Sequence, residues 1–570
     1  MTPAQRQTAR RLGLALLLLY LLTAWAGPPL DAMAGRTLAL AEALSHGRLR
    51  VNQDEAQLSG DFLWPDGPDG GGVAIAEFGG SALFAPVCVV VRSALDGSPR
   101  KRVVFVESTL YVVLLCALPA AVAAVLLYAL LLRLGVPAAL PAALVFGATP
   151  LWAQACVVSP HPLSIAFSVA ALLALSDRAR TPRASAVAGL CAGCAVLTWF
   201  GALLPVALPL GLYGIATGSR RARLAFVAGA AGPALLLGLW NLLNNGAPWA
   251  FPDLGRDGGW LSEVAARNAV FSLSLPTPRR VWEVTVGTRR GLLIFAPALL
   301  LAPAGFKLLW RRHRSLTLLL IAIAVATALQ AACKPLSWHG GTAAGPRYLI
   351  PGALALCVPL GYGLAAFPRL GTALGGLSFC FALCTSLSAL YGSLRACVEE
   401  VLAMGPRLRW VYACGIQLDS TPSHGWAVAI SAAVALPLLG GVAWALRREL
   451  PGIGRAAAVL ALAWGALAVR GGLVGHLGHG PPQIRHDEVL RFVVTEPEPL
   501  RLRWYAQELL GLGDPLNAAH VSLRAIELGG WDHDPQALDA LRTALHRLQS
   551  EGHEVRPLLQ RAAELKRQGG

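Results

Sequence analysis

Apolar runs of about 18 or more residues recur along nearly the whole chain, each long enough to cross the hydrocarbon core of a bilayer. In lipid, backbone amides must be paired within their own segment, so such runs confine the chain to a bundle of transmembrane helices. The clear spans fall near 12–27, 108–132, 137–156, 162–176, 184–199, 200–217, 224–243, 291–308, 315–333, 348–367, 371–392, 425–446 and 453–472. Composition agrees: 55% of the 570 residues are hydrophobic and 14% charged, where soluble domains carry about 25% charged residues. A soluble enzyme, a disordered chain and a disulfide-built secreted domain are excluded. The eleven cysteines lie mostly inside apolar runs, and packing explains the Cys191–Cys194 spacing better than redox chemistry does. The first run follows Arg6, Arg10 and Arg11 and mimics a signal peptide, but with a dozen spans behind it an uncleaved helix is the better reading.

Charge bias sets the orientation. The clusters Arg178/Arg180/Arg183, Arg220/Arg221/Arg223, Arg311/Arg312/Arg314 and Arg447/Arg448, together with the N-terminus, belong on the cytoplasmic side. Thirteen spans place all five on one side. Counting the ambiguous stretch 78–95 as a further span would set the N-terminus against the other four, so it is read as an interfacial or re-entrant helix. That choice leaves Arg100, Lys101 and Arg102 outside, against the rule. The net charge of +16 is spread over these short clusters, and no nucleic-acid partner is expected.

The expected fold is therefore an all-α polytopic membrane protein of about 13 transmembrane helices, with interfacial helices on its outer face. A membrane domain covers residues 1–475, with a first outer loop at 28–107. The N-terminus is expected in the cytoplasm and the tail outside. The composition turns charged and helix-forming at 480–570, which reads as a small soluble α-helical tail, tetratricopeptide-like in spacing. It is either a docking module for a protein partner or a cap over the membrane domain.

Long, irregular, mixed-charge loops lie on the outer face, and chemistry is expected there. The first outer loop carries the adjacent acids Asp54 and Glu55, then Asp61. Carboxylates at a membrane surface suit a general base, and Asp54 with Glu55 suits half of a divalent-cation site for Mg or Mn. The loop KPLSWHGGTAAGPRYLIP sets Trp338, His339, Arg347 and Tyr348 at the mouth of a span. At that depth a guanidinium can hold a lipid phosphate by paired hydrogen bonds. Arg289 and Arg290 occupy an equivalent position before another span, and His161 lies between two spans at the outer face. An outer acid, headgroup-level arginines and aromatic residues suit an anionic, lipid-linked substrate whose reacting bond lies at the membrane surface.

Three segments in order resemble the polytopic glycosyltransferases of the GT-C fold, in the branch of protein O-mannosyltransferases and lipid A aminoarabinose transferases. QDEAQLSG with the following EFGGSALFAP is similar to their first-loop motif. TRRGLLIFAP is similar to their Arg-Gly-Leu segment, and WHGGTAAGPRYLIP to their Gly-Gly and Gly-Pro-Arg-Tyr signature. The resemblance spans roughly residues 10–390. It implies transfer of a sugar from a polyprenyl-phosphate donor to a glycan, lipid or protein acceptor outside a bacterial cytoplasmic membrane. On matching positions it makes Asp54 the acid-base or metal-associated carboxylate and gives Arg347 the donor phosphate. The stretch from Gly60 to Gly79 departs from the family's Tyr-Ser-x-x-Pro-Gly connection, being longer and richer in Gly, Pro and Asp. Asp54, Glu55 and Asp61 all remain candidates for the base. The competing readings are a transporter or flippase of a lipid-linked glycan and a non-catalytic envelope-assembly scaffold. No repeat relates the two halves, and ionisable residues are nearly absent from the span centres, which weighs against a transporter.

Overall fold

A computed structural model describes residues 1–25, 32–52, 63–65, 72–74, 78–176, 181–245, 247–248, 275–288, 290–333, 345–388, 393–411, 424–450, 453–474, 489, 499–511, 513–529 and 535–569. The chain divides into two compact units, Met1–Val474 and Gly475–Gly570.

The first unit is a helical bundle. Among the described residues, eight helices are long and apolar enough to cross a membrane, and three shorter apolar helices accompany them at Phe78–Ala94, His161–Leu175 and Pro182–Thr198. The Pro3–Thr23 helix opens with proline in its first turn and a capping box between Thr2 and Gln5, which satisfies amide groups that no helical carbonyl can reach. Large apolar side chains point outward, as Leu235 and Leu462 do at 73% and 75% exposure; their solvent is lipid. Between helices the contact is through small residues. Gly189 of the Pro182–Thr198 helix lies against the Phe226 carbonyl, and Gly229 of the Arg220–Asn245 helix lies against the Ala186 carbonyl. Gly305 and Gly363 meet the Pro359 and Leu301 carbonyls in the same way.

Two expected spans are broken. The run 137–156 forms two helices, Ala139–Gly147 and Leu151–Ala155, with Pro150 between them. The run 291–308 forms Leu292–Phe295, a 3-10 turn at Pro297–Leu301 and Ala302–Arg312. A proline removes one amide donor and clashes with the preceding turn, so an apolar run containing it need not be one rod. The expected run 108–132 is instead part of a longer helix, Arg100–Arg133, of 34 residues. At 1.5 Å per residue it measures about 50 Å against a core of about 30 Å, so part of it stands outside the hydrocarbon.

Contacts at the helix ends define two poles. At one, Arg11 pairs with Glu449 at 2.6 Å, Arg133 donates to the Leu173 carbonyl at 3.0 Å, and the Arg312 guanidinium lies over the Tyr362 ring. At the other, the Trp25 amide donates to the Cys156 carbonyl at 2.7 Å and the Trp410 indole to the Leu22 carbonyl at 3.1 Å. The Phe78–Ala94 helix packs at this second pole: Gly79 abuts the Leu197 carbonyl, and Ser81 donates to the Thr37 carbonyl of the Ala32–Ser45 helix at 2.9 Å. A short antiparallel pair, Leu63–Pro65 with Gly72–Ala74, lies in the first long loop. The ten described cysteines are all free.

The second unit consists, among its described residues, of the helices Pro499–Gly511, Pro515–Gly529, Pro535–Ser550 and Arg556–Gly569. They close on their own core, including Leu502, Tyr505, Ile526, Leu541 and Leu548. Asp514 accepts from the Asn517 amide at 3.0 Å, capping the second helix before its initial proline.

Candidate functional site

The second pole gathers four of the residues singled out from sequence. His161 opens the His161–Leu175 helix. Arg347 and Tyr348 form a 3-10 turn, Arg347–Leu349, that leads into the Ile350–Ala366 helix. Arg290 precedes the Leu292–Phe295 turn. Arg290 is 1% exposed and Arg347 8%, far below the usual exposure of a charged side chain.

Gly345 ties the two arginine segments together. Its carbonyl accepts Nη1 of Arg290 at 2.6 Å and the backbone amide of Arg347 at 3.0 Å. Its φ is +74°, in the left-handed region that suits glycine. The Gly-Pro-Arg sequence thus makes a turn that offers a carbonyl to one arginine and aims the next into the bundle.

An aromatic wall stands beside them. The His161 and Trp199 rings are 4.5 Å apart between centroids, and His161 and Tyr348 are 6.2 Å apart. Trp199 and Tyr348 lie nearly parallel at 6.5 Å, and the Arg347 guanidinium carbon is 5.3 Å from the Tyr348 ring centroid. A guanidinium at that distance gains from the ring's negative face. Behind the wall, Ser159 donates to Oε1 of Gln154 at 2.9 Å and lies 3.0 Å from Nδ1 of His161.

Sequence reading missed Trp199, Gln154 and Ser159. Trp199 ends the Pro182–Thr198 helix as its C-cap, and an aromatic residue closing an apolar run was the available signal. A third buried arginine, Arg409, was also missed; it donates to the Thr385 and Ser388 carbonyls. There it neutralises the C-terminal end of the Pro368–Leu387 helix, and burial lowers its pKa.

Asp54, Glu55, Asp61, Trp338, His339 and Arg289 lie outside the described residues. So do the two carboxylates expected to hold a divalent cation. Among the described residues, no three His, Cys, Asp or Glu side chains gather as a metal site would require.

No family model matches the chain, and no curated protein matches it. Among solved structures it is similar to the crystal structure of ArnT from Cupriavidus metallidurans bound to undecaprenyl phosphate. The TM-score is 0.44 and the identity 15%, over 87% of this chain and 81% of that one. It is similar also to the apo state of the same protein, with TM-score 0.42 and 16% identity over 86% and 81% of the two chains.

Proposed function

We propose that this protein is an integral-membrane glycosyltransferase that moves a sugar from a polyprenyl-phosphate donor to an acceptor at the outer face of a bacterial cytoplasmic membrane. The observation that carries the reading is the joining of two buried arginine segments on the Gly345 carbonyl, beside the His161–Trp199–Tyr348 wall. Two fixed cations at the end of a lipid-facing bundle suit a phosphate on a lipid tail, and the aromatic rings suit the flat face of a sugar. Charge bias puts the other pole, with Arg11, Arg133 and Arg312, in the cytoplasm. The arginine site then faces outward.

In this mechanism Arg347 and Arg290 hold the donor phosphate and stabilise the charge that develops as it leaves. Their burial lowers the local dielectric and strengthens that contact over its value in water. A carboxylate of the first outer loop, Asp54, Glu55 or Asp61, takes the acceptor hydroxyl proton as that oxygen attacks the anomeric carbon. A divalent cation held by Asp54 and Glu55 would supply further positive charge at the phosphate. Binding of free polyprenyl phosphate to the purified protein tests the carrying observation. The wild type should bind and Arg347→Ala should not; equal binding by both would remove Arg347 from the donor site.

A further inference from the structure

Three buried polar side chains run in series behind the aromatic wall: Gln154 is 2% exposed, Ser159 3% and His161 0%. The Ser159 hydroxyl donates to Oε1 of Gln154 at 2.9 Å, lies 3.0 Å from Nδ1 of His161 and accepts the His161 backbone amide at 3.4 Å. Ring and backbone of His161 thus rest on one oxygen, and that oxygen is itself held. The Ser159 carbonyl accepts from Sγ of Cys116, on the long Arg100–Arg133 helix, at 3.3 Å. Gln154 sits on the Leu151–Ala155 helix. Trp152 of that helix donates to Oγ1 of Thr23 at 2.8 Å and meets the Tyr20 and Phe379 rings edge-on. The Trp25 amide holds the Cys156 carbonyl just beyond.

A flipped imidazole fills nearly the same space, because its last torsion is broad and two-fold. Packing on Trp199 and Tyr348 therefore chooses weakly between the two orientations; the Ser159 contact at Nδ1 fixes one. With Nδ1 held, Nε2 is the ring nitrogen left to meet a ligand. Buried polar groups cost free energy unless hydrogen bonds offset it, and a satisfied chain of them rigidifies its surroundings. We propose that Ser159 and Gln154 are positioning residues for His161, and that the orientation they impose turns Nε2 toward a hydroxyl of the transferred sugar. The inference rests on the glycosyltransferase reading. In it the arginines take the donor phosphate and the wall takes the sugar, so the chain affects the sugar-bearing donor and not the lipid phosphate alone.

The test uses the full chain in nanodiscs as wild type, Ser159→Ala, Ser159→Thr, Gln154→Leu, His161→Ala and the double variant Ser159→Ala/His161→Ala, each melting cooperatively. One readout is turnover of a polyprenyl-phosphate hexose; the other is binding of free polyprenyl phosphate, which carries no sugar. Ser159→Ala and Gln154→Leu should each lower kcat/KM about tenfold or more, with free polyprenyl phosphate bound within about twofold of wild type. Ser159→Thr, which keeps the hydroxyl, should recover part of the rate. Ser159→Ala added to His161→Ala should cost nothing further, as expected of a residue that acts through the other. Full additivity in the double variant would overturn the positioning role, and so would an equal loss of polyprenyl phosphate binding, which marks a general structural effect. Turnover by the wild type with Ser159→Ala unaffected would refute the positioning role alone. No turnover by folded wild type would instead remove the transferase reading, and this inference with it.

Discussion

Replacing Arg290 probes the join between the two arginine segments. The side chain is 1% exposed and donates Nη1 to the Gly345 carbonyl at 2.6 Å. Arg290→Gln removes a charge-assisted hydrogen bond worth about 1.5–3 kcal/mol. If Arg290 also faces the donor phosphate, the same loss appears in donor affinity. At about 1.4 kcal/mol per tenfold, that is a rise in donor KM of roughly 10- to 150-fold. Arg290→Lys should fall between, because an ammonium keeps the charge and loses the planar fork. Donor KM is measured in nanodiscs on variants whose melting is cooperative, with direct binding of polyprenyl phosphate alongside. A donor KM within about twofold of wild type in folded Arg290→Gln would refute the assignment, since a buried charge-assisted contact is worth about 1.5–3 kcal/mol.

Three glycines give sharper structural outcomes. Gly345→Ala meets only ordinary contacts at Phe295 and Pro150, but φ of +74° costs a non-glycine residue about 1–2 kcal/mol; melting should fall and donor KM rise together, and a stability loss with unchanged KM would separate the turn from the site. Gly189→Ala drives a methyl group into the Phe226 carbonyl and should destabilise by about 1–3 kcal/mol. Gly440→Ala, with nothing near, should be neutral or stabilising by up to about 1 kcal/mol; thermal unfolding in detergent compares the pair, and equal effects would contradict the close helix contact.

The bundle was legible because apolar runs report the surrounding medium directly, and the Gly-Pro-Arg-Tyr segment because its turn chemistry is local. Breaks at Pro150 and Pro297 were also written in the sequence, but hydropathy averaged over a span hides a residue whose effect is on backbone donors. The Trp199 wall and the Gln154–Ser159–His161 chain were not legible, since they depend on which helix ends meet. The ion-pair knot of Arg92 with Glu42 and Glu107 likewise joins residues far apart in sequence. It also bears on Arg100, which the thirteen-span reading places outside: its pairing with Glu42 would offset a charge that the orientation rule counts as misplaced.

The central claim is a lipid-phosphate donor cleaved at the arginine site. Membranes holding the wild type, Asp54→Asn or Arg347→Ala are supplied with polyprenyl-phosphate hexoses and pentoses, and free polyprenyl phosphate is followed over time. The account predicts release by the wild type and losses of about 10²–10⁴-fold for Asp54→Asn if that residue is the base, with a comparable loss for Arg347→Ala. Release that persists unchanged in Arg347→Ala, or no release from any donor by folded wild type, would contradict it.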